Sequence, residues 1–211
     1  MTYTLVVGAA PVGGEDAFYR ALLAEAAHVV AADAGGEWCV RLGRVPEVVI
    51  GDFDSAEAGA TSRLAEAGIE VVQVAADKDE TDLDLALDLA LQRFGPPVTL
   101  TAAFTARLDH TLASLGTLLR AGEGASAREA AWTAWLCTPG APLTIEPAAG
   151  AIVSVLAPGG AEGVRITGTR WTLDGTRLEM LSGLGVSNEA AGGPVMVESA
   201  VGALLVLVGN R

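Results

Sequence analysis

Cysteine is almost missing from this 211-residue chain, which carries only Cys39 and Cys137. Two thiols form neither a disulfide framework nor a zinc-ligand spacing, and they suit a reducing cytoplasm. Basic residues are also scarce: 13 Lys and Arg stand against 26 Asp and Glu, for a formal net charge of -13. That balance opposes extended contact with nucleic acid phosphates or anionic lipid, so a small anionic substrate has to enter through a local cationic patch or a metal ion. No uninterrupted apolar run reaches the roughly 18 to 20 residues of a membrane span. The apolar residues 1–8 lack a basic lead, and Pro11 and Gly13-Gly14 interrupt them too early for a signal peptide. Neither a P-loop nor a GxGxxG pattern occurs, so no nucleotide assignment follows from a short glycine motif. What the chain has is a 51% hydrophobic content, enough for a buried core and contrary to disorder.

From residue 3 to about 120, short β-rich runs alternate with alanine- and leucine-rich stretches, the pattern of βα units around a parallel sheet. The runs at 3–7, 28–32, 47–50, 70–74 and 98–102 predict strands; 16–26, 37–42, 57–67, 81–94 and 108–121 predict helices. Leu83, Ala86, Leu87, Ala90 and Leu91 recur with helical spacing and make the fourth helix the clearest. Beyond Gly122-Glu123-Gly124 the texture becomes short β runs at 131–137, 152–156, 164–169, 195–197 and 204–208, broken by glycine and proline. The expected fold is α/β: an N-terminal parallel-sheet, Rossmann-like domain over 1–125, then a small C-terminal antiparallel β-sandwich over 126–211. A β-domain of that size is expected to pack on the first domain or on another subunit.

Three acidic clusters each follow an apolar run: Gly51-Asp52-Phe53-Asp54-Ser55, Asp77-Lys78-Asp79-Glu80-Thr81-Asp82 and Arg107-Leu108-Asp109-His110. All three are expected just past the carboxyl ends of strands, the edge where open parallel sheets bind ligands. Carboxylates converging there repel unless a cation sits among them, and oxygen donors of this kind suit magnesium bridging to phosphate. Asp52 and Asp54, two apart, share a side if the backbone stays extended; alternatively Asp54 or Ser55 merely caps the next helix. Asp79 with Asp82 resembles a capping pair too, yet five acids between 77 and 84 exceed what a cap requires. Lys78 is the one base in that cluster and is placed to reach a phosphate. Arg107 offers a guanidinium fork for phosphate oxygens beside Asp109, or the two form a surface ion pair; His110 contacts substrate or packs. Asp33-Ala34-Gly35-Gly36 opens a helix where backbone amides can face an anion, or is simply a structural turn. In the second half, Trp171 offers a stacking face and Ser187-Asn188-Glu189 a polar turn, against the plainer reading of a core tryptophan and a tight turn. Trp38, Trp132 and Trp135 are read as structural.

Taken in order, these motifs resemble the series found in the thiamine pyrophosphokinase family, over nearly the whole chain. The resemblance implies transfer of diphosphate from ATP to the hydroxyl of thiamine, giving thiamine diphosphate and AMP, with Mg2+ as cofactor. It also implies a homodimer whose thiamine pocket lies between the α/β domain of one subunit and the β-sandwich of the other. Under it Asp52, Asp54, Asp82 and Asp109 are catalytic, the first three as metal ligands. Asp33, Gly35, Gly36, Lys78, Asp79, Thr81, Arg107 and His110 border or bind ATP and the transferred group. Trp171 stacks on the thiamine rings, and Ser187 and Asn188 hydrogen-bond them. Asp82 and Asp109 are both candidates to accept the hydroxyl proton. The chain departs from the family where a glycine-rich lead reads Ala102-Ala103-Phe104-Thr105-Ala106, where a common asparagine is Ser114, and where Asp-Gly-Gly is Asp33-Ala34-Gly35-Gly36. The carboxylates alone also fit a magnesium-dependent hydrolase or nucleotidyl transferase, and a non-catalytic thiamine-binding homologue is the third reading.

Overall fold

The computed structural model describes residues 2–10, 13–53 and 59–210; Asp54 and Ser55 lie outside them. The chain divides into two compact units, 1–121 and 122–211.

In the first unit, strands and helices alternate strictly: β1 (Thr4–Val7), α1 (Asp16–Glu25), β2 (His28–Ala32), α2 (Gly35–Arg41), β3 (Val48–Gly51), α3 (Ala60–Glu66), β4 (Glu70–Gln73), α4 (Asp82–Phe94), β5 (Val98–Thr101) and α5 (Leu108–Arg120). Short runs rich in valine pair in parallel in the order β5-β1-β2-β3-β4. Successive strand residues face opposite ways. Leu5, Val7, Val29, Ala31 and Val49 share a core with Tyr19, Leu22 and Leu23 of α1, Trp38 of α2 and Leu64 of α3. The alternate residues Val6, Val30 and Val48 are equally buried, and α4 packs across β1, β2 and β3. Both faces of the sheet are therefore covered, which is why its strands are apolar throughout.

The helix expected from residue 37 begins two residues earlier, because Gly35 and Gly36 form its first turn. A Cβ on Gly35 would stand 2.6 Å from the Gly8 carbonyl oxygen, and one on Gly36 2.5 Å from Val49 Cγ2. These glycines let α2 dock closely on the sheet.

The second unit is built of strands: β6 (Ser126–Glu129), β7 (Trp132–Cys137), β8 (Leu143–Ile145), β9 (Ile152–Leu156), β10 (Ala161–Thr167), β11 (Leu173–Leu178), β12 (Asn188–Glu189), β13 (Val195–Glu198) and β14 (Leu204–Gly209). Neighbours in the row β6-β7-β14-β9-β12 are antiparallel, as are those in the row β11-β10-β13-β8. Both rows feed one apolar core, with Val153, Val155, Leu204 and Val206 from the first and Ile145, Val164, Ile166, Val195 and Val197 from the second. Among the described residues no helix is long and apolar enough to cross a membrane.

Candidate active site

Strands β1 to β4 run in order to one side of β1 while β5 lies on its other side, so the chain reverses direction across the sheet between β1 and β5. Crevices at such a switch point are where open α/β sheets take ligands. A cleft of about 400 Å3 lies there, lined by Gly8 and Ala10 after β1, Asp33 after β2, Ala103 and Thr105 after β5, Lys78 to Leu83 save Asp79, and His110 and Ser114 of α5. The backbone at this edge is strained. Asp33, Phe53 and Ala102, each just beyond a strand, hold φ values of 46°, 56° and 49°, a region that non-glycine residues avoid.

Lys78 joins the second acidic cluster to the first. Its Nζ donates to Asp52 Oδ2 at 3.0 Å and meets Asp82 Oδ1 at 3.2 Å. The contact with Asp82 is an ion pair, and among the described residues this buried oxygen has no other polar partner. Burial pushes the Asp82 carboxyl above its ordinary value; Lys78 pulls it down, and the charges of Asp52 and Asp33 push it up again. Burial works against the Lys78 ammonium, but its contacts with Asp52 and Asp82 outweigh that and raise its pKa. Among the described residues no three His, Cys, Asp or Glu side chains close into a metal-binding group.

The helix cap in this cluster is Thr81, not Asp79 with Asp82. Thr81 Oγ1 accepts from the Asp84 amide at 3.2 Å while Asp84 Oδ2 accepts from the Thr81 amide at 3.3 Å. Asp84 is also held by Thr117 and Arg120, so it belongs to the packing of α4 on α5, and Asp82 is left to the cleft.

The third cluster divides. His110 lines the cleft, whereas Arg107 and Asp109 do not. Those two form a bidentate pair at 3.3 and 2.7 Å with both side chains about two-thirds exposed, and the guanidinium holds the Asp109 carboxyl below its ordinary value. Asp79 is exposed outside the cleft lining, and Gly35 and Gly36 are buried in helix packing.

In the second unit Trp171, Ser187 and Asn188 do converge, with Leu184 and Val186, around a pocket of about 260 Å3. Trp171 is no core residue: it is 55% exposed, with the Arg170 guanidinium 4.8 Å from its ring centre. Asn188 is buried and its amide is fully engaged. Its Oδ1 accepts from the Trp171 amide at 3.1 Å, and its Nδ2 donates to the Trp171 carbonyl at 2.6 Å and to Thr169 Oγ1 at 3.2 Å. It thus holds the tryptophan backbone. Ser187, at φ 60°, donates its amide to Ser154 Oγ and stays exposed. Trp38 lies in the first core, edge-on to Tyr19.

Ala103, Thr105 and Ser114 line the cleft although their sequence marks no chemistry; only the small-residue stretch before Arg107 and the position of Ser114 after His110 signalled them.

Fold and site together define an α/β protein with a lysine-bridged acidic cleft at a sheet switch point, continued in the same chain by an all-β unit with an exposed tryptophan pocket. Residues 19–128 match the model of the thiamin pyrophosphokinase catalytic domain, and residues 143–204 that of the thiamin pyrophosphokinase vitamin B1 binding domain. The chain belongs to the thiamine pyrophosphokinase family. It is 32% identical over 91 residues to the thiamine pyrophosphokinase of Bacillus subtilis; that alignment spans 43% of this chain and 42% of the relative. Its fold is similar to the crystal structures of thiamine pyrophosphokinase from Bacillus subtilis (TM-score 0.82, 22% identity, 99% of each chain) and Geobacillus thermodenitrificans (0.82, 24%, 100% of this chain and 98% of that one). The yeast enzyme shares it at a TM-score of 0.79 and 13% identity, over 99% of this chain and 86% of that one.

Proposed function

We propose that this protein transfers a diphosphate group from ATP to the hydroxyl of thiamine, releasing AMP and thiamine diphosphate. The observation that carries this reading is Lys78, which joins Asp82 of the switch-point cleft to Asp52 outside the cleft lining, within the stretch that matches the family's catalytic domain. The first unit, a Rossmann-like layer, would bind ATP; the second, a β-sandwich, would supply Trp171 and Ser187 to thiamine. Asp33, Thr81 and His110 border the nucleotide, and Lys78 turns from the carboxylates to the transferred phosphates. Gly35 and Gly36 serve by docking α2, and Asn188 by fixing Trp171. Arg107, Asp109 and Asp79, exposed in the free protein, would join the polyphosphate at the rim.

Magnesium is part of the proposal. The donors of Asp52 and Asp82 are all oxygen, and the buried Asp82 Oδ1 meets only the Lys78 ammonium among the described residues, a place that fits a hard cation. Asp54, outside the described residues, completes the expected set. Bound magnesium would offset charge on the polyphosphate oxygens. Of the two proton acceptors, Asp82 is favoured: burial raises its basicity, whereas Arg107 lowers that of Asp109.

A homodimer goes with this reading, supported by the exposed Leu184 and Val186 that line the tryptophan pocket. A cytoplasmic location is supported by two free, buried thiols.

The test is to incubate the protein with ATP, magnesium and thiamine and to separate the nucleotides. AMP forming together with thiamine diphosphate is expected; ADP or free phosphate would replace this proposal with a kinase or hydrolase of another kind. Asp52→Asn should lose activity by at least about a hundredfold while keeping its fold.

A further inference from the structure

The loop between β5 and α5 walls the cleft, and the carbonyls of Ala102, Ala103 and Thr105 in it are turned to donors elsewhere. Thr101 and Ala102 carbonyls accept from the amides of Gly8 and Ala10, both at 2.8 Å. The Ala103 and Thr105 carbonyls are taken by hydroxyls one helical turn apart on α5. Ser114 Oγ donates to the Ala103 carbonyl at 2.6 Å, and Thr111 Oγ1 donates to the Thr105 carbonyl at 2.8 Å. The Thr111 hydroxyl also accepts from the Thr105 amide at 3.1 Å, so one side chain pairs both backbone groups of Thr105. Thr105 in turn accepts the Arg107 amide on its own hydroxyl at 2.8 Å, leading the chain into the helix.

A carbonyl oxygen facing a phosphate repels it, so a loop that borders a polyphosphate must draw its carbonyls away. We infer that Thr111 and Ser114 are positioning residues for the nucleotide: they pull the Ala103 and Thr105 carbonyls back onto α5 and hold this loop in the one conformation that admits polyphosphate. The inference rests on the nucleotide reading of the cleft. It also accounts for Ala102, a fully buried alanine kept at φ 49° by hydrogen bonds on both sides of the bend.

The experiment uses the intact protein with magnesium: titration calorimetry with α,β-methylene-ATP, which resists cleavage, and steady-state kinetics with ATP and thiamine. Thr111→Val keeps the shape of the side chain and removes both hydrogen bonds. It should raise the nucleotide Kd and the KM for ATP roughly tenfold, with a much smaller change in kcat and in the KM for thiamine. Thr111→Ser keeps the hydroxyl and should return both constants to within about twofold of the original protein. Ser114→Ala, a second variant in case Thr111→Val fails to fold, should raise Kd roughly threefold or more. Nucleotide constants unchanged in Thr111→Val or Ser114→Ala overturn the inference, as does a Thr111→Ser variant no better than valine. Failure of the unaltered protein to bind the analogue is a different result: it overturns the nucleotide reading itself and the inference with it.

Discussion

The Nζ of Lys78 stands 3.0 Å from Oδ2 of Asp52, both side chains 15% exposed, and the same ammonium meets Asp82. A single base thus stands between a carboxylate of its own segment and one from the loop after β3, where a divalent ion is expected.

Lys78→Met should expose that role. Removing one partner of a largely buried pair leaves uncompensated charge, and with some exposure remaining the cost is about 1–3 kcal/mol. Thermal unfolding in chelator should show a lower Tm than the original protein, and magnesium should raise the Tm of the variant by more than it raises that of the parent. Equal melting temperatures in chelator would remove Lys78 as the bridging cation.

Asp84 makes a pH-dependent contribution. Burial raises its pKa, but hydrogen bonds from Thr117 and Thr81 and the charge of Arg120 outweigh it, and the net shift is downward. A carboxyl depressed in the folded state stabilises above its unfolded pKa of about 3.9, and that support disappears as pH falls through the folded value. Asp84→Asn should therefore lower the Tm at neutral pH, by about 1–2 kcal/mol of stability including the weakened cap. The gap between variant and parent should close as melts are taken into acid; a gap of constant size would contradict the mechanism.

Asn188→Ala should act through its neighbour. It removes the bonds to both backbone groups of Trp171, worth about 1–2 kcal/mol of stability, although Thr169 Oγ1 still donates to the Trp171 carbonyl at 3.1 Å. The indole fluorescence should change, and thiamine KM should rise in Asn188→Ala and in Trp171→Ala alike while ATP KM stays put. An Asn188→Ala protein with normal thiamine KM would separate the amide from the ring.

Gly8 is a steric test of the switch point. A Cβ there would lie 2.4 Å from the Ala102 carbonyl oxygen, so Gly8→Ala should cost about 1–3 kcal/mol and disturb the nucleotide wall. Gly13, with nothing within 4 Å of its added Cβ, is the control, and Gly13→Ala should change stability by less than about 0.5 kcal/mol. Chemical denaturation of the two variants measures both.

The alternating half of the fold was legible because burial on both faces keeps its strands apolar, and because Ala86, Leu87 and Ala90 mark the inner side of α4. The run at 152–156 is strand β9 to the residue. Strands β6 and β11 went unread for a physical reason: Ser126 and Glu129 are polar residues that are buried, and Asp174, Gly175 and Arg177 interrupt an outward face on which Arg165–Asp174 and Arg177–Glu179 pair. The acids of the site were visible from their crowding, but their division was not. Nothing in the spacing says that Thr81 would take the cap and release Asp82, and the Arg107–Asp109 ion pair was one of two readings between which the spacing does not choose. Asn188 was visible as a polar turn residue; its service to the Trp171 backbone depends on β12 and the following turn meeting in space.

Asp33, Phe53 and Ala102 keep unfavourable torsions only because β2, β3 and β5 grip the chain immediately before them. The rim of the cleft thus behaves like a drawn spring seated on the sheet. A change deep in those strands that relaxes their grip should be felt first as weaker ligand affinity at the rim, well before the protein melts any earlier.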